Sequence, residues 1–145
     1  MKLFSVLGAL MLVSTSVLAQ VLPPDIQPIS QDLGVSDSPK IAMSGSSLYV
    51  VWRSDGAGIG VIGQQILFRR STNFGITFKP VQVLSDDSGE VRDPTVAASG
   101  SRVFVAWAQR VCTVTCSHDI FIARSVDGGA TFDDPAINLS SDALD

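Results

Sequence analysis

Charge is scarce in this sequence. Asp, Glu, Lys and Arg make up 17% of its 145 residues, against 46% hydrophobic ones, a ratio that excludes a disordered or highly charged tail. Lys and Arg number 10 against 14 Asp and Glu, with no basic stripe. That balance argues against nucleic acid and against anionic membrane surfaces as partners. Two cysteines are present, enough for one disulfide and too few for a cysteine-stapled miniprotein. Beyond the N-terminus no apolar run reaches the roughly 18 residues that span a bilayer, so no membrane span is expected. No window outside the first residues shows sustained 3.6-residue apolar periodicity either, which leaves strands rather than helices.

What is present begins with a leader. Met1 and Lys2 give a positive start, residues 3–13 are almost unbroken apolar sequence, and residues 14–19 are small, with Val17 at −3 and Ala19 at −1 of a cleavage point before Gln20. This layout predicts a signal peptide over residues 1–19 and a secreted, periplasmic or extracellular protein. No Cys follows the cleavage point, so a lipid anchor is not expected there. Loss of Lys2 leaves nine basic against fourteen acidic side chains in residues 20–145, a net charge of −5. That length suits one core of modest size rather than a large enzyme domain.

Residues 20–145 contain an internal repeat. Residues 26–53 align with 81–108 at an offset of 55, with 11 of 28 pairs identical, among them Pro39 with Pro94, Gly45 with Gly100 and Trp52 with Trp107. The match resumes at an offset of 54, where residues 66–78 pair with 120–132 and six of 13 are identical. Two collinear blocks of this kind mark repeated structural units. In each unit the β-branched and aromatic runs 48–52 and 103–107 read as strands, preceded by the turn signals Ser44-Gly45-Ser46 and Ser99-Gly100-Ser101. Residues 66–70 and 120–124 give a third strand, and 81–84 and 135–139 a fourth. One unit is then a four-stranded antiparallel meander of propeller-blade size. The first blade spans about 38–85, the second about 93–140, and an extra strand of the fourth type lies at about 26–30. The sequence ends where a third repeat would begin.

Both units carry the pattern S-x-[DN]-x-G-x-T-F: Ser71, Asn73, Gly75, Thr77 and Phe78 in the first, Ser125, Asp127, Gly129, Thr131 and Phe132 in the second. The spacing predicts a self-bonded hairpin tip. Asp or Asn accepts backbone N–H groups, Gly takes a positive φ, the hydroxyls tie the strand ends, and Phe enters the core. This pattern resembles the Asp-box of the sialidase-like (BNR) repeat families; the second copy matches in full, and the first carries Asn73 in place of Asp. The resemblance implies an all-β fold of two four-stranded antiparallel propeller blades, a partial sialidase-like β-propeller. It also implies that the boxes sit between third and fourth strands, away from any active site, and are structural. Each box offers at most one carboxylate, too few oxygens for calcium.

The resemblance raises the question of glycoside hydrolysis. The sialidases it points to grip a carboxylate with three arginines and use a Tyr–Glu nucleophile pair. Here Val91-Arg92-Asp93-Pro94 keeps only Arg and Pro of their Arg-Ile-Pro signature, Tyr49 is the single tyrosine and lies mid-strand, and Glu90 is the single glutamate. Retaining hydrolysis needs two groups about 5 Å apart across one sugar, which two blades cannot surround. No catalytic residue, cofactor or metal is therefore assigned. Arg92 and Asp93 are the ligand-binding candidates, since they lead into an innermost strand; the competing reading is a surface ion pair. The segments 54–63 and 109–118 differ between the repeats, as binding loops do. The first is Gly-rich but lacks the Lys and helix of a phosphate loop. The second holds Cys112 and Cys116, expected as a disulfide; a metal reading with His118 lacks a fourth ligand. Asn138-Leu139-Ser140 is a glycosylation sequon for a host that modifies exported proteins. The expected function is an exported non-catalytic repeat module that binds glycan or protein. The alternative is a fragment or subunit of an exo-sialidase-type hydrolase. Exposed blade faces would call for self-association or further blades.

Overall fold

The computed structural model describes residues 28–30, 34–56, 63–86, 89–112 and 114–140. The described residues are all-β, without a helix, and form two four-stranded antiparallel sheets. The first contains β1 (Ser36–Ser44), β2 (Ser47–Ser54), β3 (Gln65–Ser71) and β4 (Gln82–Val83). The second contains β5 (Val91–Ser99), β6 (Arg102–Cys112), β7 (Cys116–Ser125) and β8 (Ile137–Asn138). Each sheet is a meander in which consecutive strands are neighbours, and β1 lies beside β5. The leader expected over 1–19 lies outside the described residues. So does part of the strand expected at 26–30, of which residues 28–30 join no ladder.

The local reasons are legible strand by strand. Gly45 and Gly100 take φ of 60° and 58° at the β1–β2 and β5–β6 turns, a conformation that would cost a residue with a Cβ. β4 and β8 are two residues long, shorter than expected, although Leu84 N–H still donates to Ile66 O at 2.9 Å and Leu139 N–H to Ile120 O at 2.7 Å. The segment 109–118 departs further from expectation. Its residues 109–112 and 116–118 are the end of β6 and the start of β7, paired through Arg110 with His118 and Val111 with Ser117 to Cys112 with Cys116. No glycine interrupts it, and the cross-strand disulfide between Cys112 and Cys116 closes its tip.

Packing distinguishes the two sheets although their sequences are related. Tyr49, Val51, Ile66 and Phe68 of the first sheet form one core with Val103, Val105, Trp107 and Ala123 of the second. Phe132 meets Phe68 edge-on at 4.8 Å between ring centroids, a favoured aromatic geometry. The other face of the first sheet buries Val50, Trp52 and Leu67 beneath Leu48, Phe78, Val81 and Ile29. β2 is thus covered on both faces, whereas burial alternates along β6, whose equally apolar run leaves one face open. Arg69 fixes the second layer: its Nε donates to Lys79 O at 2.8 Å and its Nη1 to Ile29 O at 2.8 Å. Burial lowers its pKa.

Candidate functional site

The two boxes occupy the β3–β4 and β7–β8 turns and are built alike. Ser71 Oγ accepts the N–H of Gly75 at 2.9 Å and donates to Asn73 Oδ1 at 2.8 Å. Asn73 Oδ1 accepts the N–H of Thr77 at 2.9 Å, while its Nδ2 donates to Thr77 Oγ1 at 2.9 Å. In the second box Ser125 Oγ accepts from Gly129 at 2.8 Å, and Asp127 Oδ1 accepts from Ala130 and Thr131 at 2.8 and 3.0 Å. Thr131 Oγ1 adds a bond to Asp127 Oδ2 at 2.7 Å. The Thr131 N–H, with the hydroxyls of Thr131 and Ser125, holds the Asp127 carboxyl well below the usual carboxylate range. Left-handed backbone extends over two positions in each box. Gly75 and Gly129 have φ of 84° and 76°, and the residues before them, Phe74 and Gly128, have 57° and 70°. Phe74 hid that requirement from the sequence pattern.

The second box is also a joint between the sheets. Arg70 Nη1 donates to Gly128 O at 3.0 Å, and Gln82 Nε2 to Gly129 O at 2.9 Å. These bonds run within each box or, from the second box, to the first sheet. Each box is closed on itself, and among the described residues no group of three or more His, Cys, Asp or Glu is placed to hold a metal ion.

Arg92 and Asp93 lie at the start of β5, at the opposite end of the sheets from the boxes. Arg92 Nε stands 3.8 Å from Asp93 Oδ2 with both side chains solvent-accessible, a geometry that binds the two weakly. The structure adds Asp37, Arg53 and Glu90 to this rim, residues the repeat comparison did not single out. Asp37 and Arg53 are cross-strand partners in β1 and β2. Arg53 Nε donates to Asp37 Oδ1 at 2.9 Å, and Nη2 makes a second bond to Oδ2. Arg53 therefore keeps the Asp37 carboxyl below its ordinary pKa. The Arg53 pKa is raised in turn, by Asp37 first and by the charges of Glu90 and Asp93 beyond it. The available signal was a charge exchange. At the 55-residue offset Asp37 corresponds to Arg92 and Arg53 to Ala108, so only the first sheet can make this pair.

β1 and β5 each carry a bulge at this rim, where the register slips between Asp37 and Lys40 and between Arg92 and Thr95. Ser38 and Asp93, equivalent in the repeat, each have φ of 53° and each precede a proline. A non-glycine residue there stores roughly 1–3 kcal/mol of strain, and bulges of this kind re-aim side chains at sheet rims. A cleft of about 320 Å³ lies nearby, between the β4 edge and the second sheet, with Trp107 and Phe121 beside Asp86, Gln109 and Asp134. Trp107 Nε1 donates to Gln109 Oε1 at 3.0 Å, and Gln109 Nε2 donates to Asp86 Oδ1.

Three further sequence features are resolved by their surroundings. Tyr49 is 1% exposed, with its ring stacked on Phe68. Cys112 and Cys116 are joined to each other, which removes the thiolates that a metal site with His118 would use. Asn138 is half-buried, and its Nδ2 donates to Asp119 Oδ2 at 2.7 Å, a bond that glycosylation of that nitrogen would disturb. Among the described residues no helix is long and apolar enough to cross a membrane. In comparisons with known proteins, no protein-family model matches this chain and no curated protein shows significant similarity to it.

Proposed function

We propose that the two sheets are blades of a sialidase-like, Asp-box propeller, and that the chain is an exported, non-catalytic module binding glycan or protein at the rim opposite the boxes. One observation carries the reading. At a single repeat-equivalent position, Asp37 is locked to Arg53, whereas Arg92 stands opposite Ala108 and meets Asp93 only at 3.8 Å. A guanidinium held this loosely suits a carboxylate or sulfate of an acidic glycan or protein, which it can grip with two parallel bonds. The leader pattern and the disulfide support an oxidising, extracytoplasmic location.

Binding to an array of sialylated, sulfated and neutral glycans tests the proposal, with acidic peptides as a second probe set. Arg92→Ala should weaken binding about tenfold or more, the magnitude of one lost charged hydrogen bond. Arg102→Ala, at the other end of the sheets, should leave it unchanged. Equal binding by parent and Arg92→Ala would remove the rim from consideration. The hydrolase alternative is tested separately with a fluorogenic sialoside. Burial of Tyr49 in the shared core stands against it, because a tyrosine nucleophile must reach the sugar. Turnover that Arg92→Ala abolishes would replace the binding module by an enzyme.

A further inference from the structure

The interface between the two sheets supplies the template for an interface between two chains. Within the chain, one face of the first sheet packs on the opposite face of the second. The first sheet's other face is covered over Val50, Trp52 and Leu67 by Ile29, Phe78 and Val81 but open at Ile41 and Met43, and the second sheet's other face is open at Phe104 and Ile120. The repeat offset identifies those remaining faces. On the second sheet, Phe104, Ala106, Ile120 and Ile122 correspond to Tyr49, Val51, Ile66 and Phe68, the residues the first sheet buries in the core. Phe104 and Ile120 are 37% and 44% exposed. On the first sheet, Ile41 and Met43 correspond to Val96 and Ala98, which pack against the core, yet they are 64% and 57% exposed. Two complementary halves of one known interface are thus presented at opposite ends of the molecule.

The polar contacts are duplicated as well. Arg70 reaches across the sheet boundary to Gly128 O. Its equivalent Arg124 lies on the second sheet, half-exposed and paired with Asp133 at 2.6 Å. The equivalent of Gly128 is Phe74, in the first box at the far end of the molecule. Trp107 Nε1 is satisfied at the internal interface through Gln109, whereas its equivalent Trp52 is 3% exposed with an Nε1 that has no partner among the described residues. Trp52 has Ser54 where Trp107 has Gln109, so the bond made within β6 is not repeated in β2.

We infer that a second copy of this chain docks head to tail, the Phe104–Ile120 face of one copy on the Ile41–Met43 face of the next. Part of the acceptor face is already occupied. Ile29 sits over Val50 and Trp52, and in the repeat it corresponds to Leu84, which packs beside Trp107. The incoming copy's edge around β8 takes that place, and the Arg69–Ile29 hydrogen bond is the contact released. Such an interface joins two different patches, so it propagates until the rotation closes a ring.

The test uses the whole chain with its disulfide intact and two exposed-site variants, Ile41→Glu and Ile120→Glu, whose folding is checked by near-ultraviolet circular dichroism. Sedimentation equilibrium of the parent should show concentration-dependent association beyond a dimer or into one closed ring. Each variant alone should stay monomeric, because each has lost one of the two faces. Mixed together they should form a 1:1 dimer and nothing larger, through the face that each retains. A monomeric parent up to about millimolar concentration, where even weak pairing registers, overturns the inference. So does persistent self-association of either variant, which indicates a symmetric face-to-face contact, and so does a mixture that stays monomeric.

Discussion

Gly129 offers the sharpest test of how the sheets meet. It has φ of +76°, and a Cβ built on it would lie 2.8 Å from Phe68 Cζ and 3.1 Å from Phe68 Cε1, side-chain atoms of the other sheet. Gly100 shares the backbone requirement without the contact: φ is +58°, and nothing lies within 4 Å of its added Cβ. Gly100→Ala therefore measures strain alone, about 1 kcal/mol once the left-handed penalty is offset by the smaller entropy of the unfolded chain. Gly129→Ala carries the same strain plus overpacking against Phe68, which itself meets Phe132 edge-on. The sum is about 2–4 kcal/mol. Urea unfolding followed through the two tryptophans should place the Gly129→Ala midpoint about 1–2 M below the parent, and Gly100→Ala at about half that shift or less. Equal shifts at the two positions would refute the close approach of the second box to Phe68. They would also undercut the sheet-to-sheet packing as the template for docking.

Phe74→Gly should stabilise the chain by about 0.5–1 kcal/mol, because Phe74 holds φ of 57° while 70% exposed and its counterpart is Gly128; a lower thermal midpoint would contradict this. The depressed Asp127 pKa gives stability that is present above the unfolded value of about 4 and lost as pH falls through the lower folded value. Asp127→Asn should therefore flatten the acid limb of a stability–pH curve, and at neutral pH it should be tolerated better than Asp127→Ala, since Asn73 already fills this role in the first box. Titration of the denatured chain should find no free thiol, and replacing both cysteines by alanine should cost about 2 kcal/mol or less, the loop-entropy value for so short a ring. Two free thiols would reject the bridge.

Much of the scaffold could be read directly from residues. The offset of 54–55 marks the two sheets, and the β-branched runs place β2, β3, β6 and β7. The box residues locate the β3–β4 and β7–β8 turns down to the glycine that must take a positive φ. These are local properties, set by side-chain alternation and turn chemistry within a few residues. The rim was legible only in part. Arg92 and Asp93 stand out by sequence, but Asp37 and Arg53 are sixteen residues apart and become partners only through the β1–β2 register, with a bulge deciding which side chains face each other.

The sequence by itself determined the all-β, twofold-repeated architecture and its box-closed turns, because period and turn residues act over short range. The tertiary structure alone decided which face of each sheet is covered. It paired residues 109–112 with 116–119, gave Arg69 two backbone carbonyls to hold, and left Phe104 and Ile120 open where Tyr49 and Ile66 are closed. The physical reason is that an apolar side chain specifies burial but not the neighbour that buries it, and equivalent residues in a repeat acquire different environments from what stacks beside them.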